Sequence, residues 1–125
     1  MVNLVNFEKT VKELKNFLEI PIANDRDRAG IIKAFEFTFE QAWKSIQKVA
    51  AKQGVEIGNP QKAFSYAMQN QWIPVADEAQ WLELLKDRNL TTHTYHQDLA
   101  MEVLERIQKK YMAMFEVLLS ALERE

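Results

Sequence analysis

The chain contains no cysteine, which removes disulfides, zinc–thiolate centres and thiol nucleophiles together. Glycine and proline are scarce, with three of each in 125 residues, so the composition describes a packed, loop-poor globule and not a disordered tail. No glycine-rich phosphate loop occurs, which argues against nucleotide binding through a P-loop or a Rossmann turn. No Gly-x-Ser-x-Gly elbow is present either. No apolar run approaches the ~18–20 residues of a membrane span, and the N-terminus has neither the basic start nor the apolar core of a signal peptide. A cytoplasmic protein is therefore expected. Positive charge is also in short supply. A formal net charge of −2 argues against tight coating of nucleic acid, which needs many Lys and Arg to neutralise phosphates, and leaves room only for a local, transient RNA contact.

Hydrophobic residues make up 47% of the chain and aromatics 10%, enough for a single domain over residues 1–125 with a sizeable core. Five helical segments can be read from the periodicity. Leu4, Phe7, Val11, Leu14 and Leu18 recur at spacings of three and four, a stripe that stops before Pro21. A second helix opens near Asp25–Asp27 and carries Ile32, Phe35, Phe39, Ala42, Trp43, Ile46 and Val49 to a cap at Gly54. Asn59-Pro60 supplies an N-cap and a first-turn proline for a short helix with Ala63, Phe64, Ala67 and Met68 inward. Asp77 and Gln80 resemble a capping box ahead of Trp81, Leu82, Leu84 and Leu85. The last helix begins after Tyr95, around Gln97, and runs through Leu99, Val103, Ile107, Tyr111, Phe115, Leu118 and Leu122. No segment alternates with a period of two. The expectation is an all-α, antiparallel up-and-down bundle with long first, second and last helices and two short ones between.

Two constellations in the second helix invite a functional reading. The aromatic line Phe35, Phe37, Phe39 and Trp43 is accounted for by core packing, except that Phe37 lies off the stripe and faces either a neighbouring short helix or a subunit interface. Glu36 and Glu40 share a face, as in di-metal carboxylate bundles, but no Glu-x-x-His pair accompanies them. The only histidines, His93 and His96, fall in the junction before the last helix. Two imidazoles without a third ligand make a poor metal site. No cofactor or metal is expected.

The run Arg88-Asn89-Leu90-Thr91-Thr92-His93-Thr94-Tyr95 places a permanent cation, an imidazole and a phenol within eight residues, between two helical segments. An arginine can hold a phosphate, and a histidine near its ordinary pKa can move a proton. By spacing alone, solvated charge and helix capping explain such a run better than catalysis does. Taken with the block Arg28-Ala29-Gly30-Ile31-Ile32-Lys33-Ala34-Phe35-Glu36-Phe37-Thr38-Phe39-Glu40-Gln41-Ala42-Trp43-Lys44, however, nearly the whole chain resembles the nucleotidyltransferase substrate-binding proteins of the HEPN superfamily. The segment from Leu85 to Tyr95 matches that superfamily's Arg-x4-His-x-Tyr signature at Arg88, His93 and Tyr95, with the polar Asn89 after the arginine. One departure is His96, where relatives carry a small acidic or amide cap; a weak helix cap is the reading we favour for it.

The resemblance implies a helical-bundle homodimer with two Arg/His motifs in a shared cleft. It also implies a two-gene partnership with a minimal nucleotidyltransferase, forming a hetero-oligomer in which the partner acts as antitoxin. Many members are metal-independent endoribonucleases, so Arg88 and His93 would be catalytic, Asn89 auxiliary and Tyr95 the site at which the partner adds AMP. The residue types suit that chemistry. His93 can take or give a proton at neutral pH, and the Arg88 fork can meet charge building on a phosphoryl group. The alternative is a non-catalytic subunit that presents substrate to the nucleotidyltransferase, a reading favoured by the modest acidity of the chain.

Overall fold

The computed structural model describes residues 2–93 and 97–125, with the side chain of His93 not included. It has six α-helices: α1 (Val5–Glu19), α2 (Asp25–Lys52), α3 (Pro60–Gln69), α4 (Glu78–His93), α5 (Gln97–Arg106) and α6 (Met112–Glu123). A π-helical turn, Ile107–Tyr111, joins α5 to α6 without a break. The last two helices are therefore one rod, and the five-helix expectation holds. Among the described residues there is no strand and no helix long and apolar enough to cross a membrane.

Helix α2 is the axis of the molecule. Its 28 residues span about 42 Å at 1.5 Å per residue, and α1, α3, α4, α5 and α6 all pack on it. Both its ends are fixed locally. The Asn24 side chain accepts from the Asp27 N–H at 2.9 Å, which satisfies one of the orphan donors of the first turn. At the other end Gly54 takes φ 82°, a conformation that costs an L side chain roughly 1–2 kcal/mol. There the Gly54 N–H reaches the Ala51 carbonyl and the Val55 N–H the Ala50 carbonyl, the paired bonds of a Schellman motif. Asn59 caps α3 as expected, accepting from the Lys62 N–H at 2.9 Å.

Helix α3 ends in a second motif of the same type, with Gln71 at φ 63° and the Trp72 N–H on the Ala67 carbonyl. No glycine marks this stop. Burial of Trp72 supplies the hydrophobic contact that holds a side-chain-bearing residue in a left-handed conformation. The capping box expected at Asp77 and Gln80 does not form. Asp77 closes a 3₁₀ turn, Val75–Asp77, with its N–H on the Pro74 carbonyl. Gln80 Oε1, the atom that would have reached back to it, is buried without a partner among the described residues. Leu82, grouped with the apolar residues of this helix, is exposed.

The core is strongly aromatic. Tyr111 stacks on Phe35 (5.6 Å between centroids), Phe35 meets Phe115, Phe115 meets Trp81, Trp81 meets Phe64, and Phe64 meets Phe39. Such pairs add to the area they bury. This chain of rings runs through α2, α3, α4 and the last rod, and its two ends lie at the two polar clusters described next.

Candidate functional site

Helix α4 is longer than its sequence suggests. At 16 residues it exceeds α1, and it carries the Arg88–His93 run on its last turns, where a junction was expected. Threonines resist helix because their hydroxyls compete for backbone bonds. Here the Thr91 and Thr92 hydroxyls both contact the Arg88 carbonyl, at 3.1 and 2.9 Å, and both reach Glu36 Oε2, at 2.9 and 3.1 Å. A carboxylate on α2 therefore pins the C-terminal turn of α4, and the helix continues because its polar groups are satisfied across the interface.

Arg88 lies on the same face of α4 as those threonines, at the i, i+3 and i+4 positions of one helical stripe. Its guanidinium sits over the Phe39 ring, 5.2 Å from the centroid, within the range of a cation–π contact. Arg88 Nη2 is 3.5 Å from Glu40 Oε2, and Arg88 Nε is buried with no hydrogen-bond partner among the described residues. Glu40 also faces Lys44 at 3.5 Å, and Glu36 faces Lys33 at 4.0 Å. The face-sharing carboxylates Glu36 and Glu40 thus serve α4: one holds the threonines, the other the arginine. Among the described residues no group of three His, Asp or Glu side chains is arranged to hold a metal ion.

Asn89 is exposed on the next position of α4 and takes no part in these hydrogen bonds. His93 belongs to the last turn of α4, but its side chain lies outside the described residues, as do Tyr95 and His96. The residues on either side of that segment are both tied to α2. Thr91 and Thr92 bond to Glu36, and Gln97 Nε2 donates to Asp25 Oδ1 at 3.2 Å.

On the adjoining, inward face of α4 is a cluster that sequence reasoning missed. Asp87 is buried and accepts a bidentate pair from Arg106, Nε to Oδ2 at 2.7 Å and Nη2 to Oδ1 at 2.9 Å. The Tyr111 hydroxyl donates to Asp87 Oδ2 at 2.5 Å. The π turn lies between Arg106 and Tyr111, inserting an extra residue in the rod where both side chains must reach one carboxylate. The Asp87 hydrogen bond holds the Arg106 proton even more firmly than usual. Burial, then the bond to Asp87, pushes the Tyr111 phenol well above its ordinary range. A signal was present in the sequence: Asp87 falls at the core position of the Trp81–Leu84–Thr91 stripe. A carboxylate on a buried stripe calls for a partner.

Phe37 is exposed, with Lys33 Nζ 5.6 Å from its ring centroid. It borders a shallow apolar groove between α1 and α2 lined by Phe17, Gly30, Ala34 and Phe37. Nothing lies within 4 Å of where a Gly30 side chain would start, so the missing Cβ helps leave the groove open.

The fold and this cluster define a class: an all-helical bundle that presents an arginine and a threonine-rich helix end to a long central helix. A family model described as nucleotidyltransferase substrate binding protein like matches residues 2–124, and the chain belongs to that family. A crystal structure of a protein from Thermus thermophilus superposes with a TM-score of 0.83 at 29% identity, over 93% of this chain and 98% of that one. No protein of curated function matches the chain.

Proposed function

We propose that this chain is the HEPN component of a two-gene module and acts as a metal-independent endoribonuclease under the control of a partner nucleotidyltransferase. The observation that carries this reading is Arg88: a guanidinium seated on Phe39, beside the turn bearing His93, with its Nε donor unpartnered among the described residues. In the reaction, the ribose 2′-OH gives its proton to a base and attacks the adjacent phosphorus. The P–O5′ bond breaks, and an acid returns a proton to the 5′ oxygen. The products are a 2′,3′-cyclic phosphate and a 5′-OH. His93 is assigned one of the two proton transfers and Arg88 the charge on the phosphoryl oxygens, with Asn89 auxiliary.

One histidine per chain is a thin kit for both transfers, and a homodimer would supply the second. Glu40 and Phe37 stand within one turn of each other on the same long helix, so a contact between two chains that covers Phe37 brings the two arginine sites together. Tyr95 is assigned as acceptor of AMP: its phenolic oxygen attacks the α-phosphorus of ATP on the partner enzyme and releases pyrophosphate. The phosphate so attached would compete with RNA for Arg88.

The second reading is a non-catalytic subunit that presents substrate to the nucleotidyltransferase. It is favoured by the name of the family and by the two carboxylates beside Arg88. One set of measurements separates the readings. RNA incubated with EDTA should be cut to cyclic-phosphate ends, with His93→Ala and Arg88→Ala each slower by roughly 10²-fold or more. Light scattering should give a dimer mass. Co-expression with the partner should add AMP mass to the peptide containing Tyr95. Equal cleavage by parent and His93→Ala removes the nuclease assignment and leaves the binding subunit.

A further inference from the structure

Arg88 and Arg106 flank one helix and are held in different ways. The Arg106–Asp87 pair has two short, aligned bonds of 2.7 and 2.9 Å, the geometry of a strong charge-assisted interaction. The Arg88–Glu40 pair has one contact of 3.5 Å, with both side chains about one-third exposed. Among the described residues Arg88 Nε has no partner. The aromatic face of Phe39 fixes where the guanidinium lies, while among those residues its polar contacts are one long pairing with Glu40. Glu40 is likewise shared, standing 3.5 Å from Lys44 on the next turn of α2. Glu36 cannot take its place, because Glu36 is occupied by the Thr91 and Thr92 hydroxyls.

We propose that Glu40 is an exchangeable counter-ion for Arg88, set to be displaced by the phosphodiester of a single-stranded nucleic acid and to pass to Lys44 when that happens. The inference rests on reading Arg88 as a phosphate donor, which the nuclease and the binding subunit share. Without nucleic acid, Glu40 keeps the guanidinium neutralised and seated on Phe39. When a phosphate arrives, the bidentate fork of Arg88 pairs with two phosphoryl oxygens, and the carboxylate retains a cation in Lys44. Three cations, Lys33, Lys44 and Arg88, face two carboxylates at this site. Removing one carboxylate shifts the local balance further toward anions. Glu40 is thus a positioning residue that tunes affinity through Arg88.

The test is binding of a short, fully 2′-O-methylated oligoribonucleotide, which lacks the attacking hydroxyl and is not cleaved. Glu40→Gln should bind about two- to tenfold more tightly than the parent, the range expected for removing an exposed competing charge. Glu40→Asp, which keeps the charge, should stay near the parent. The gain should vanish in Arg88→Ala/Glu40→Gln, because the effect acts through Arg88 alone. The proposal is overturned if Glu40→Gln binds no better than the parent, including the case where neither binds. It is also overturned if the gain persists without Arg88, which would make it a general field effect. Cleavage of unmodified RNA in EDTA reports separately on the nuclease reading: tighter binding by Glu40→Gln with no cleavage by any variant keeps this inference and favours the binding subunit.

Discussion

Asp87 and Arg88 are neighbours in the chain and opposites in fate. Asp87 turns inward to a sealed pair of donors on the last rod, and Arg88 turns to the crest of α2 and keeps one donor unpaired among the described residues. The aromatic chain connects them: Tyr111 at one end bonds Asp87, and Phe39 at the other end seats Arg88. The difference is one of desolvation. A buried carboxylate persists only with full pairing, so the inner cluster is a structural lock. A partly exposed arginine tolerates partial pairing because water covers the deficit, so the outer cluster can exchange partners.

Asp87→Ala should break this contrast most severely. It leaves Arg106 and the buried Tyr111 hydroxyl without their acceptor, at a cost of about 3–5 kcal/mol in chemical denaturation; a loss under about 1 kcal/mol would show that the inner cluster is no lock. Tyr111→Phe removes one donor and should cost about 1–2 kcal/mol. The same variant tests the phenol. The unfolded chain releases this proton as pH passes about 10, while the folded chain retains it. The contribution is therefore complete below pH 10 and falls above it, by up to about 1.4 kcal/mol per pH unit. Urea midpoints between pH 9 and 11 should fall less steeply for Tyr111→Phe than for the parent. Arg88→Ala should cost the fold least, about 1 kcal/mol or under. If it proves as destabilising as Asp87→Ala, the two sides of α4 are equally structural and the contrast fails.

Much of this was legible beforehand. The stripe from Leu4 to Leu14, the Asn59-Pro60 start of α3 and the Gly54 stop of α2 rest on local rules, and each appears as expected. The membership of the family was legible too, because it follows residue types at fixed spacings. The misses have a common character. At Asp77 the local pattern suggested a capping box, but Pro74 and the 3₁₀ turn took the same N–H. At Gln71 no glycine announced the left-handed stop. Across Thr91 and Thr92 local preference favoured a loop, and Glu36, 55 residues earlier in the chain, made a helix of it.

What the sequence determined by itself is the helical class, the order of the elements and the candidate residues Arg88, His93, Asn89 and Tyr95, since periodicity, caps and a signature are properties of neighbouring residues. Which way each charge faces was decided only in the folded chain. Asp87 is a lock because Arg106 and Tyr111 arrive from the last rod with a π turn between them. Arg88 is a loosely held cation because Phe39 and Glu40 arrive from α2. Pairing and desolvation depend on what lies across an interface, and no spacing along the chain encodes that distance.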